Sequence, residues 1–170
     1  MGSSRPGTSP GPKLYTPEER ARRDASAWTL VQGVLAPVQF VAFLISLGLL
    51  LRYLASGAGE QAAMLSVVVK TALLYLIMVT GSIWEKVVFG RWLFAPAFYW
   101  EDVFSMLVLA LHTAYLWCWA THALDGHGLA WLALAAYASY IVNATQFLLK
   151  LRAARLEHAR INALPQGARA

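Results

Sequence analysis

The chain is short of charge and nearly without cysteine. Asp, Glu, Lys and Arg make up 14% of its 170 residues, against roughly 25% in an ordinary soluble domain. That is too little to solvate a globule of this size. Hydrophobic residues reach 58%, which also excludes a disordered chain, since disorder needs low hydrophobicity and high charge. The single cysteine, Cys118, rules out an internal disulfide framework and a cysteine-rich zinc or iron–sulfur site. Cys118 itself reads as a small packed hydrophobe. The net charge of +5 would suggest nucleic acid if the basic side chains were spread over a folded surface, but their placement says otherwise.

What is present is long apolar sequence. Residues 25–51, 103–124 and 126–149 contain no Asp, Glu, Lys or Arg, and 61–84 contain only Lys70. A helix needs roughly 20 apolar residues to cross a hydrocarbon core, so spans are expected near 28–52, 62–84, 103–123 and 129–149. Barrel strands would be about 10 residues long with alternating polarity, and no such alternation occurs. The expected fold is all-α, a polytopic membrane protein of four transmembrane helices. Its expected divisions are a disordered arm over 1–15, an interfacial helix over 16–27, the transmembrane domain over 28–151 and a basic tail over 152–170. Thr16-Pro17-Glu18-Glu19 carries the helix start, with Thr16 as cap, Pro17 in the first turn and Glu19 completing a capping box. Ser56-Gly57-Ala58-Gly59 and Asp125-Gly126-His127-Gly128 read as turns.

The basic residues set an orientation. Five lie in the N-terminal arm, two (Lys86 and Arg91) between the second and third spans, and five in the tail, whereas the opposite side has only Arg52. Twelve against one places both termini in the cytoplasm. The charge is therefore topology plus attraction to anionic lipid, and no nucleic-acid partner is expected.

Polar residues inside spans are costly in lipid and so are informative. Many fall in the cytoplasmic half. Gln32 and Gln39 are seven apart on the first span. Thr80, Ser82, Trp84 and Glu85 end the second, and Glu101, Asp102 and Ser105 begin the third. Asn143, Gln146 and Lys150 form one stripe of the fourth. The outer half is expected to be apolar apart from Lys70. Glu85, Glu101 and Asp102 bracket a short loop from two helices. They read either as headgroup-facing residues or as a ligand site opening to the inner leaflet.

His112 shares a face with Glu101, Ser105 and Val108 and lies about 16 Å further along the axis. It reads as a structural donor, or as a proton relay or axial metal ligand. Lys70 is expected to snorkel to the outer interface. Pro37 is expected to free the Gly33 carbonyl and kink the first span. The segment 89–100 holds six aromatics in twelve residues, either an interfacial belt or a wall for a flat lipid-soluble ligand.

The runs Trp84-Glu85-Lys86-Val87-Val88-Phe89-Gly90-Arg91 and Trp100-Glu101-Asp102-Val103-Phe104-Ser105-Met106 closely resemble the vinyl bacteriochlorophyllide hydratases. So do Leu93-Phe94-Ala95-Pro96-Ala97-Phe98, His112-Thr113-Ala114-Tyr115, and the N-terminal Tyr15-Thr16-Pro17-Glu18-Glu19-Arg20 and Trp28 to Pro37. The similarity covers about 13–150. The resemblance implies hydration of the 3-vinyl group of a chlorophyllide or bacteriochlorophyllide to a 3-(1-hydroxyethyl) group, on the path to bacteriochlorophyll a, in the inner (cytoplasmic or intracytoplasmic photosynthetic) membrane of a phototrophic bacterium. It implies no redox cofactor, and the substrate carries its own magnesium. It assigns no catalytic residues.

Chemistry supplies candidates. For hydroxyl to reach the carbon next to the ring, a proton must first reach the terminal vinyl carbon. A carboxylic acid in an apolar setting keeps its proton at neutral pH and can donate it. A second carboxylate in a wetter setting can direct water. Glu101 is expected as donor and Asp102 or Glu85 as the water-directing group. Lys86 or Arg91 would hold the substrate's propionate, and His112 would ligate its magnesium or relay protons. Trp84, Trp100, Asn143 and Gln146 complete the expected substrate-binding set, with no resident metal. Other bacteriochlorophyll enzymes and a second copy of the chain are open as partners. Two rival readings use the same residues: a pigment carrier without activity, and a small exporter, which the uncharged first span disfavours.

Overall fold

The computed structural model describes residues 14–163. Most of the expected N-terminal arm and the end of the tail lie outside them. Five helices follow in order: α1 (Pro17–Ala25), α2 (Ala27–Ser56), α3 (Glu60–Phe89), α4 (Tyr99–Thr121) and α5 (Gly126–Ala163). No strand occurs among the described residues. Helices α2, α3, α4 and the Gly126–Ala153 part of α5 are long and apolar enough to cross a membrane. At 1.5 Å per residue the 30-residue α2 and α3 each run about 45 Å. Their outward faces carry Leu30, Ile45, Val69, Val79 and Leu148 unburied, as a lipid-facing surface requires.

Helix α1 starts as its sequence dictates. The Thr16 hydroxyl accepts from the Glu19 amide at 3.2 Å, and the Glu19 carboxylate accepts from the Thr16 amide at 2.8 Å. The helix is fastened to the C-terminal end of α3. Tyr15 stacks on Phe89 with ring centroids 5.7 Å apart, the Arg23 guanidinium lies over the Tyr15 ring, and Arg22 Nε donates to the Val88 carbonyl at 2.8 Å. Burial pushes the Tyr15 hydroxyl above its usual pKa.

The four spans form two antiparallel hairpins, α2–α3 and α4–α5, whose helices pack most extensively within each hairpin. Gly57 closes the first hairpin in the left-handed region at φ 70°, which costs a glycine nothing. In the second hairpin, residues 126–128 open α5, where a turn was expected. Asp125 caps that helix, its carboxylate accepting from the Gly128 amide at 2.8 Å, so the turn falls just before it. Helix α2 is continuous through Pro37. Helix α5 runs unbroken beyond Leu149 into residues expected as tail.

The seam between the hairpins is more polar than the sequence suggested in the half nearer the α2–α3 and α4–α5 turns, the half expected to be the outer one. Tyr137 donates to the Ser46 hydroxyl at 2.6 Å, and Ser46 and Ser66 share a bond at 2.7 Å. The Tyr115 hydroxyl donates to the Met64 carbonyl at 3.0 Å. Lys70 does not snorkel. It is wholly buried, its Nζ 3.2 Å from His112 Nε2 and 3.9 Å from the Tyr140 ring centroid. Depth alone suggested that its stem could reach the interface, but its position around the helix turns it into the seam.

Candidate active site

At the end of the bundle that carries the α3–α4 loop, Glu85, Glu101 and Asp102 all point inward, each at most 6% exposed. They do not splay into headgroups. Their placement follows from helix geometry. Glu85 lies one turn before the end of α3. Adjacent Glu101 and Asp102 diverge by about 100° on α4, so one turns toward α5 and the other toward α3.

Asp102 and Glu85 are drawn side by side, because they accept from adjacent amides of the connecting loop. The Phe94 amide donates to Asp102 Oδ2 at 2.7 Å, and the Ala95 amide to Glu85 Oε2 at 3.3 Å. The loop is thus folded over the acid pair. Phe94 takes a left-handed backbone at φ 58°, a conformation that disfavours a side chain and that aims its amide at Asp102.

Glu101 looks the other way, onto α5, where Lys150 Nζ lies 2.6 Å from its Oε2. One turn deeper, Asn143 Nδ2 donates to the Ser105 hydroxyl at 2.8 Å. The α4–α5 hairpin therefore carries two polar cross-links at the level of the acids, one ionic and one neutral.

The other candidates divide. Trp84 donates from Nε1 to the Thr29 hydroxyl at 3.0 Å and packs edge-on against Phe89 and Phe98, so it belongs to the aromatic cluster that seats α1. Trp100 is exposed, with Trp92, Tyr99 and Phe94 also turned outward around the loop. Lys86 Nζ donates to the Gly90 carbonyl at 3.0 Å and caps α3. Arg91 is exposed beside it. Gln146 occupies the α5 stripe between Asn143 and Lys150. His112 lies well away from the acids in the outer half. Its Nδ1–H donates to the Val108 carbonyl at 2.8 Å, which leaves Nε2 as the acceptor facing Lys70, so both ring nitrogens are engaged. Among the described residues no three His, Cys, Asp or Glu side chains converge as a metal-ligand set. Two surface grooves, one between α2 and α3 and one beside Leu148, Leu151, Arg152 and Arg155, lie on outward faces.

Two features escaped the sequence. The loop amides that hold the acid pair have no side-chain signature. The Lys70–His112 contact did have a signal, since the two residues lie ten and nine positions from the outer ends of α3 and α4 and hence at matching depth.

Residues 15–153 match the family model described as 2-vinyl bacteriochlorophyllide hydratase. A 2-vinyl bacteriochlorophyllide hydratase of Cereibacter sphaeroides is 66% identical over 149 residues, covering 87% of this chain and 92% of that protein. One from Rhodobacter capsulatus is 64% identical over 146 residues, covering 86% and 85%. No solved structure matches.

Proposed function

The chain belongs to the 2-vinyl bacteriochlorophyllide hydratase family, and from that premise we propose how its inner acid cluster carries out the reaction. The protein is a hydro-lyase of bacteriochlorophyll biosynthesis that hydrates the vinyl group of its tetrapyrrole substrate. The observation that carries the mechanism is the pairing of Glu85 and Asp102, buried, delivered by two different helices and held on adjacent loop amides.

Two carboxyls side by side in a buried site hold one proton between them, since both cannot be ionised at once, and hydration needs one group of each kind. The protonated member gives its proton to the terminal vinyl carbon, where the π pair forms the new C–H bond. Positive charge then spreads from the adjacent carbon into the macrocycle. A water oxygen forms the C–O bond to that carbon and loses a proton to the ionised member of the pair. Passage of the proton across the Glu85–Asp102 pair restores the starting state. The balance is one water consumed and no electrons exchanged, so no redox cofactor enters it.

Glu101 has a different part in this scheme. Its ion pair with Lys150 makes it a positioning residue that fixes α4 to α5 beside the acids, so the donor role passes to the Glu85–Asp102 pair. The outward aromatics of the loop, Trp92, Phe94 and Trp100, offer a flat face to the macrocycle. Arg91, exposed beside them, is the cation for the substrate's propionate. Both termini face the cytoplasm in this reading, which opens the acid cluster to a substrate made there.

Incubation of the purified protein with vinyl bacteriochlorophyllide tests the activity. Loss of a conjugated vinyl group moves the extracted pigment's longest-wavelength band to the blue, with a mass gain of one water. A carrier would bind the pigment and return it unchanged.

A further inference from the structure

Three buried side-chain atoms have no hydrogen-bond partner among the described residues: Gln39 Nε2, Asn143 Oδ1 and Gln146 Oε1. Gln39 is 97% buried. An unpartnered amide in a membrane interior forfeits its hydration without a replacement bond, so three in one region of a small bundle need a reason.

Their positions are related. Helices α2 and α5 run antiparallel, and their contacts fix the register. Tyr53 meets His127, Ser46 meets Tyr137, and Phe43 packs on Tyr137 and Tyr140. One turn on from Phe43, along the same buried stripe, comes Gln39. The same step along α5 reaches Asn143. A free donor on α2 therefore comes level with a free acceptor on α5, and Gln146, another free acceptor, lies one turn nearer the cytoplasm. Asn143 is tied through Nδ2 to Ser105, three residues beyond Asp102 and so about 4.5 Å along the axis from it. The niche sits about one turn above the acid pair.

One donor and two acceptors are the complement of a water molecule, whose oxygen accepts one hydrogen bond and whose two hydrogens donate. We propose that Gln39, Asn143 and Gln146 hold the water that adds to the vinyl group. The inference rests on the hydratase reading above and supplies its second substrate. Held there, the water presents its remaining lone pair to one face of the cationic carbon, and as the C–O bond forms one of its hydrogens turns from an amide oxygen to the ionised carboxylate below, which takes that proton. The carbon it attacks becomes a stereocentre, so a water held in one place makes mostly one epimer of the hydroxyethyl product.

The test is Gln39→Met, with Gln146→Met as an independent second variant. Both keep the volume and remove an unpartnered amide, so the proteins accumulate normally. Each variant and the parent protein are given vinyl bacteriochlorophyllide, and the rate and epimer ratio of the product are measured. The proposal expects a rate loss of about tenfold, the size of one hydrogen bond, with the epimer ratio moving toward even. A slower reaction at an unchanged ratio in both variants reduces the amides to structural parts and overturns it, as does the parent's rate and ratio in both. Should the parent protein itself yield no hydroxyethyl pigment, the hydratase mechanism falls first, and that result is distinct from either of these.

Discussion

The two halves of the inter-hairpin seam are both polar, yet they treat polar groups differently. In the outer half the polar side chains satisfy one another: Lys70 with His112, Ser46 with Ser66 and Tyr137, Tyr115 with the Met64 carbonyl. In the inner half groups are left with capacity to spare, namely two carboxyls side by side on the loop amides and three amides with an unpaired atom. Saturated networks rigidify a core, whereas unsatisfied ones are unfavourable unless a ligand completes them. The contrast separates a structural device from a chemical one within the same four helices.

The sharpest way to break this contrast is to neutralise one inner acid. Glu85→Gln and Asp102→Asn each retain an oxygen to accept from the loop amides. Conversion of vinyl pigment in isolated membranes is expected to fall roughly 100-fold or more, the usual worth of a general acid or base, at normal protein level. Parent-like turnover in both would remove the pair from catalysis. In the outer half, His112→Ala is expected to lower stability by about 2–4 kcal/mol through a cavity and an unpartnered Lys70, read as a fall in thermal midpoint in detergent. Turnover per folded molecule should stay within about twofold, and Lys70→Met added to His112→Ala should recover part of the loss. Loss of turnover without loss of stability would move His112 into the inner, chemical group.

Glu101→Gln probes the boundary between the halves. It breaks the ion pair with Lys150, so a roughly tenfold loss of turnover is expected, partly restored by Lys150→Met, because removing both partners relieves the uncompensated charge. The smallest effect belongs to Tyr137→Phe, which deletes the bond to Ser46 and should cost about 1 kcal/mol of stability with no change in product.

The architecture was legible because the charge-free runs are long enough to permit only one way of crossing a bilayer. The acids were legible as residues, since carboxyls bracketing a loop between spans are rare. Their division of labour was not. Whether Glu101 faces Lys150 on α5 or Glu85 on α3 depends on the rotation of α4 against two neighbours, and a one-dimensional pattern specifies a face but not what lies opposite. Lys70 went astray for the same reason: its distance from the helix end is readable, its direction around the axis is not. The loop amides that bind Glu85 and Asp102 are backbone groups that any sequence carries.

The Lys150–Glu101 bond has a consequence for biogenesis. As the chain emerges from the ribosome, α4 precedes α5, so Glu101 enters the bilayer's edge ahead of its cation. Until the final helix threads in alongside, that acid has only lipid headgroups and water to balance it. The last span is thus the clasp that locks the preceding one in place, and a chain stopped short of Lys150 would stall as a half-seated intermediate open to membrane proteases.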